Sequence, residues 1–284
     1  MSLDLDERQR AMLQEMGVRV WLPQPEAGMS LPEPVRASAP PAPAAVVQRA
    51  TPAVAREMPE MPAFAGGGYP LGGAGATPVS GQDLALQEAD ALGLRAAAAA
   101  CQACGLCAGR KNSTLQMPDT AVQADWLVLG DPPDEDEDRL GQPFVEQAGV
   151  LLDNMLKAVG ASRSGQGRQG AYLSNVVKCR PPMGRQPQAA ELAQCAQYLQ
   201  REIALVQPKI ILAMGRFAAQ LALEEHPADA ALPLGKQRGR VYRYRGVPVI
   251  VSYHPKVLLR ASADKAKAWA DLCLGLDTLE GSPR

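Results

Sequence analysis

Two cysteines of this chain are paired in Cys101-Gln102-Ala103-Cys104; Cys179 follows inside Lys178-Cys179-Arg180-Pro181-Pro182, and Cys195 lies sixteen residues beyond it. Thiolates are soft anionic ligands, and a close pair plus two distant cysteines can converge on one metal centre once the chain folds. Both a four-cysteine zinc site and an iron–sulfur core are compatible with the spacing alone. Cys107 is a further thiol within the first motif and a competing ligand, whereas Cys273 reads as core. A second feature lies downstream. Between Ala230 and Ala263 no acidic residue occurs, while Lys236, Arg238, Arg240, Arg243, Arg245, Lys256 and Arg260 all do, and they surround His254, one of two histidines. Such a stretch points to a surface that tracks phosphates.

Elements must bring these residues together. Trp126–Leu129 reads as a buried strand, followed by an acidic loop and a helix over Ala148–Val159. Ala171–Val177 is the next expected strand and Ala189–Val206 a long helix. Lys209–Met214 is a third strand with a helix through Leu223. Val241–Tyr244 and Val247–Ser252 form an expected hairpin, and Asp264–Leu279 the closing helix. Short apolar strands separated by helices indicate α/β architecture, a three-layer α/β/α sandwich with a mostly parallel central sheet. Ligands in such folds sit beyond the carboxyl ends of strands. The loops at Gly130, Asn175, Gly215 and Tyr253-His254 begin there.

The chain has 284 residues and a formal net charge of -1, so global charge does not announce a nucleic-acid binder. No signal peptide or membrane span is evident, and six cysteines without a secretory signal argue for a reducing compartment, the cytoplasm. Three regions are expected: an amphipathic interaction peptide at 1–22, a disordered Pro/Ala/Gly-rich linker at 23–81, and a folded domain at 82–284.

The motifs Cys101-x-x-Cys104-Gly-Leu-Cys107, Gly141-Gln-Pro-Phe144, Asn175-Val-Val-Lys-Cys179-Arg-Pro-Pro and His254-Pro-Lys-Val-Leu-Leu-Arg260 resemble those of the iron–sulfur, family 4, uracil-DNA glycosylases. The resemblance runs from about Leu84 to the C-terminus. It implies a glycosylase that hydrolyses the N-glycosidic bond of uracil in DNA and so initiates base excision repair. It implies a [4Fe-4S] cluster held by Cys101, Cys104, Cys179 and Cys195. Asn175 then reads uracil, Phe144 stacks on the flipped base, and His254 donates towards uracil O2. Leu258 and Arg260 of the His254 loop, with Lys178 and Arg180 of the cluster loop, are expected to meet the DNA. The protein is expected to act as a monomer.

One loop departs from the family. Where the family reads Gly-Glu-Ala-Pro-Gly or nearly so, this chain has Gly130-Asp131-Pro132-Pro133-Asp134. Asp131 keeps the catalytic charge one methylene shorter, Pro132 removes a backbone N–H, and Asp134 puts a negative charge where phosphate would pass. Activity is therefore expected to be weakened. The alternative is a non-catalytic scaffold on the glycosylase fold. The segment from Arg8 to Trp21 resembles the chi-binding start of the psi subunit of the bacterial replicative clamp-loader complex, which implies the chi subunit as a partner of residues 1–22.

Overall fold

The structure, a computed structural model, describes residues 86–118 and 122–281. The interaction peptide and the Pro/Ala/Gly-rich stretch fall outside these residues, and so does the contact with chi expected there. Five strands form one sheet: β1 (Ala124–Gly130), β2 (Gly167–Asn175), β3 (Ile210–Met214), β4 (Val241–Tyr244) and β5 (Val247–Ser252). The named helices are α1 (Ala91–Ala100), α2 (Glu135–Leu140), α3 (Glu146–Ala158), α4 (Ala189–Val206), α5 (Arg216–Ala222), α6 (Pro227–Ala230), α7 (Leu234–Gln237), α8 (Pro255–Arg260) and α9 (Lys265–Gly281).

The strand order is β2-β1-β3-β5-β4. β2, β1, β3 and β5 run parallel, and β4 closes one edge antiparallel to β5. The β4–β5 hairpin turns through Arg245 and Gly246, both at positive φ, as a tight turn matched to strand twist requires. Every residue of β1 is buried, because helices cover both faces of the sheet. On one face Leu127, Leu129, Ile211 and Ala213 pack with Leu192 and Leu199 of α4 and Ala218 of α5. On the other, Trp126, Val128, Ile210 and Leu212 pack with Leu152 and Leu156 of α3 and Trp269 and Leu272 of α9. This is the expected sandwich.

β2 stops at Asn175, two residues short of the expected strand end. Val176 and Val177 are fully buried, and their branched side chains read as strand. After a last ladder bond from Val176 N–H to Gly130 O at 3.0 Å, the backbone bends through residues 176–179 instead. That turn aims Asn175 across the end of β1 and sends Cys179 towards α4. Consequently the carboxyl ends of β1, β2 and β5 share one rim with the cysteine loops beside it.

Candidate active site and cysteine pocket

Cys101 follows α1, Cys104 precedes a 3-10 turn over Gly105–Gly109, Cys179 lies after β2, and Cys195 is on α4. All four line one pocket with Ala98, Leu106 and Tyr198. Cys107 lies outside that lining. Two sulfurs already accept N–H donors: Arg110 Nη1 to Cys179 Sγ at 3.1 Å and Lys178 N to Cys195 Sγ at 3.3 Å. Arg110 also bonds the carbonyls of Ala98 and Ala99, tying the first motif to the end of α1. Burial above all, opposed by the Lys178 charge and N–H and joined by Cys179 and Cys101, pushes the Cys195 thiol up to about 12. The sulfurs are therefore close enough to repel one another as thiolates, a repulsion that a cationic core relieves. Among the described residues, no three histidine, cysteine or carboxylate groups close on one point as they would round a single ion.

The second site lies at the rim. Phe144 is buried at a positive φ of 52°, and its N–H donates to Glu137 Oε1 at 2.7 Å. Its ring tip occupies the space over Gly130: a Cβ there would stand 2.6 Å from Phe144 Cζ, so only glycine fits. The ring stacks on His254 with centroids 5.2 Å apart and planes 14° from parallel. His254 covers the Phe144 ring, so the two must part before a base can stack on Phe144.

Asn175 is fully buried. Its Nδ2 donates to Asp131 O at 2.8 Å and to Glu137 Oε1 at 3.4 Å, while its Oδ1 has no partner. Exchanging the amide's O and N would set an oxygen against those two acceptors, so the hydrogen bonds fix the orientation. The result is a buried, unsatisfied acceptor, a costly feature in a stable core.

His254 accepts Lys256 N–H at Nδ1, 3.2 Å away. The proton of the neutral ring therefore sits on Nε2, which is left to donate. Burial first, and the nearby Lys256 ammonium second, bring the imidazole down to about 3. It is a neutral donor at physiological pH.

Glu137 and Lys256 hold these parts together. Glu137, 1% exposed, accepts from Phe144 N, Asn175 Nδ2, Asp134 N and Lys256 Nζ, the last at 2.8 Å. Lys256 Nζ also meets Asp134 Oδ2 at 2.5 Å. Sequence reasoning gave neither residue this role, although Asp134-Glu135-Asp136-Glu137 carries the spacing of a capping box, and the structure forms one at the start of α2.

Several expected site residues are placed differently. Asp131 is held through one carboxylate oxygen by a neighbouring helix. Its Oδ1 accepts the N–H groups of Phe217 at 2.8 Å and Ala218 at 3.1 Å, so it caps α5. Gly215, at φ +109°, leaves room for it, since a Cβ there would lie 2.2 Å from Asp131 Oδ2. Burial raises the Asp131 carboxyl against those hydrogen bonds. Lys178 is not on the surface. Its side chain is 2% exposed and ion-paired with Glu202 at 2.6 Å, so in this form it meets no DNA. Leu258 is fully buried among the residues beneath α8, whereas its neighbours Val257 and Leu259 are exposed. Leu258 occupies the inward helical position, so the apolar side chains this helix exposes are Val257 and Leu259.

Arg260 is exposed, and Arg180 reaches Glu135 at 3.3 Å. Asp134 is not an uncompensated charge. Burial works to raise its carboxyl, but the Glu137 N–H and Lys256 outweigh this and hold it below the usual range. Much of the basic stretch is also spoken for: Arg238 pairs with Asp271 at 2.7 Å and Arg240 with Asp229 at 3.2 Å.

With this geometry in place, the relatives can be compared. The family model described as "Uracil DNA glycosylase superfamily" matches residues 117–273. A type-4 uracil-DNA glycosylase of Pyrobaculum aerophilum is 36% identical over 185 residues, covering 62% of this chain and 90% of that protein. One of Archaeoglobus fulgidus is 35% identical over 161 residues, 55% of this chain and 78% of that protein. One of Thermotoga maritima is 33% identical over 168 residues, 59% of this chain and 82% of that protein. The matched span runs from just before β1 into α9 and takes in the rim that holds Asn175, Phe144 and His254, and on these grounds the chain belongs to the uracil-DNA glycosylase superfamily.

Proposed function

We infer that this chain is a uracil-DNA glycosylase of the type-4 kind, a hydrolase that removes uracil from DNA and opens base excision repair. The observation that carries this reading is the orphaned Asn175 Oδ1, buried beside the Phe144–His254 pair. A base with an N–H donor on its edge satisfies that oxygen. Uracil offers N3–H, and cytosine at the same position offers only an acceptor. The target base must leave the stack to reach it. His254 moves off the Phe144 ring so that the base stacks on Phe144 and meets the imidazole edge-on.

As the N1–C1′ bond lengthens, its electron pair moves onto uracil and negative charge grows at O2. His254 Nε2–H, neutral and desolvated, donates there and lowers the barrier without giving up a full proton. A water oxygen then bonds C1′ and loses one proton, which balances the uracil anion, leaving an abasic sugar and free uracil. Both pocket carboxylates, Asp131 and Glu137, are hydrogen-bonded inward. Catalysis therefore rests on the leaving-group side, with Asp131, whose Oδ1 is held by α5, contributing less than the family pattern implies.

Cys101, Cys104, Cys179 and Cys195 suit a [4Fe-4S] cluster better than one zinc. They line one pocket together, two of them accept N–H donors as cluster thiolates do, and the likeness to type-4 glycosylases favours the cluster. Its chemistry here is structural, a rigid cross-link between α1, the loop after β2, and α4. Arg180, Arg260 and the exposed Leu259 are the proposed DNA contacts.

The reading is tested by incubating the protein, loaded with iron and sulfide, with an oligonucleotide carrying one uracil, alongside Asn175→Ala. Release of uracil by the parent, reduced by on the order of a hundredfold in the variant, is expected from losing an oriented base contact. Equal release by both proteins would remove Asn175 from the site.

A further inference from the structure

A buried ion pair lies between the cysteine pocket and the rim, and neither the fold nor the chemistry described so far requires it. Lys178 and Glu202 are 2% and 0% exposed at their side chains and meet at 2.6 Å. Such a pair rarely adds stability, because desolvating both charges offsets their attraction and a well-packed apolar pair does as well. What it supplies is direction. Lys178 Nζ spends its donors on Glu202 Oε2, on Ser174 Oγ, and on the main-chain carbonyl of Asn175 at 2.8 Å. Glu202 is saturated in turn by Tyr172 OH at 2.7 Å and by Ser174 Oγ. Every member of the network is satisfied, the condition under which a buried polar network fixes one geometry.

The other end of Lys178 touches the sulfur pocket. Its own N–H donates to Cys195 Sγ at 3.3 Å, and the next residue is Cys179. Cys195 and Glu202 sit two turns apart on one face of α4. That face therefore holds Lys178 twice, by its main chain at Cys195 and by its ammonium at Glu202. Between these anchors runs the turn from Asn175 to Cys179, which leaves β2 early.

We propose that Lys178 is a positioning residue for uracil excision: it transmits the hold on Cys179 and Cys195 to Asn175 by clamping the Asn175 carbonyl against Glu202. This rests on the glycosylase reading. Without the clamp the Asn175 turn gains freedom, and the orphaned Oδ1 no longer waits at the point where the base arrives.

Lys178→Met alone strands a buried carboxylate and threatens folding. The informative variant is Lys178→Met/Glu202→Gln, which removes both charges and keeps an acceptor for Tyr172 and Ser174. Iron content, visible absorbance and melting temperature are measured first, then kcat and KM on uracil-containing oligonucleotide, then the affinity for free uracil. The expected result is an intact, iron-loaded protein with KM for DNA within about twofold of the parent. Its kcat should be lower by roughly ten- to a hundredfold, as expected for a base contact displaced by about 1 Å, with free uracil bound correspondingly weaker. A double variant with parental kcat and parental uracil affinity overturns the proposal, and so does one whose iron is lost, since Lys178 then serves the cysteine pocket alone. If the parent excises nothing, the glycosylase reading fails by itself. Free-uracil affinity then still decides the Lys178 proposal, which is overturned if parent and double variant bind equally or neither binds.

Discussion

The environment of His254 fixes its protonation, and that has a consequence measurable without any substrate. Burial and then the Lys256 ammonium hold the folded imidazole at about 3, against 6.5 for the free group. The folded value lies below the unfolded one, so between these limits the unfolded chain takes a proton that the folded protein refuses. Stability from the neutral ring is complete above about pH 6.5 and drains away as the pH falls towards 3. The slope approaches about 1.4 kcal/mol per pH unit, so between about pH 6.5 and pH 5 the contribution is about 2 kcal/mol. The perturbation is His254→Asn, whose side-chain oxygen can still accept Lys256 N–H but does not titrate. Urea unfolding of parent and variant from about pH 7.5 down to about pH 5 gives two stability curves, and their difference cancels every other titrating group. The parent should lose about 2 kcal/mol more than the variant over that interval. Parallel curves would falsify the buried neutral imidazole, and with it the argument that Nε2–H is the donor to uracil O2.

Three further outcomes follow from the placement of particular side chains. Asp131→Asn keeps an oxygen for the Phe217 and Ala218 N–H groups, so the fold should hold and excision should fall by less than about tenfold. A loss on the order of a hundredfold at unchanged stability would return Asp131 to a catalytic role. Leu258→Ala should cost about 2–5 kcal/mol as a buried truncation, while Leu259→Ala should stay within about 0.5 kcal/mol and instead weaken excision from duplex DNA. The opposite ranking in a melting experiment and a duplex assay would exchange their roles. Replacing Cys195 by Ser should abolish iron incorporation and visible absorbance, whereas Cys107→Ser should leave both intact; iron analysis that gives the reverse would redraw the ligand set.

Much of this arrangement was legible in the chain because its signals are local. Strand and helix periods placed β3, the β4–β5 hairpin and α4 nearly residue by residue and found the middle of β1, and the rule that ligands gather at strand ends pointed to the rim. Asn175, Phe144 and His254 were singled out by the resemblance to the family's motifs, and the structure brings the three to that rim. What escaped depends on neighbours far along the sequence. Lys178, among basic and proline residues, reads as a surface cation until Glu202 on α4 is brought against it. Asp131 reads as a free carboxylate until the first N–H groups of α5 reach it from another strand's end. Asp134 reads as a repelling charge until Lys256 folds onto it. Leu258 and Leu259 are adjacent and chemically identical, and only the phase of α8 decides which one faces solvent.

The most direct measurement of the central claim is single-turnover release of the base from matched oligonucleotides that differ at one position, uracil against cytosine, by the iron-loaded parent protein. The orphaned Asn175 acceptor and the Nε2–H of His254 predict release of uracil and none of cytosine, whose ring nitrogen would face the Asn175 oxygen lone pair to lone pair. Release of neither base from DNA that the protein demonstrably binds, or of both at similar rates, would contradict the account.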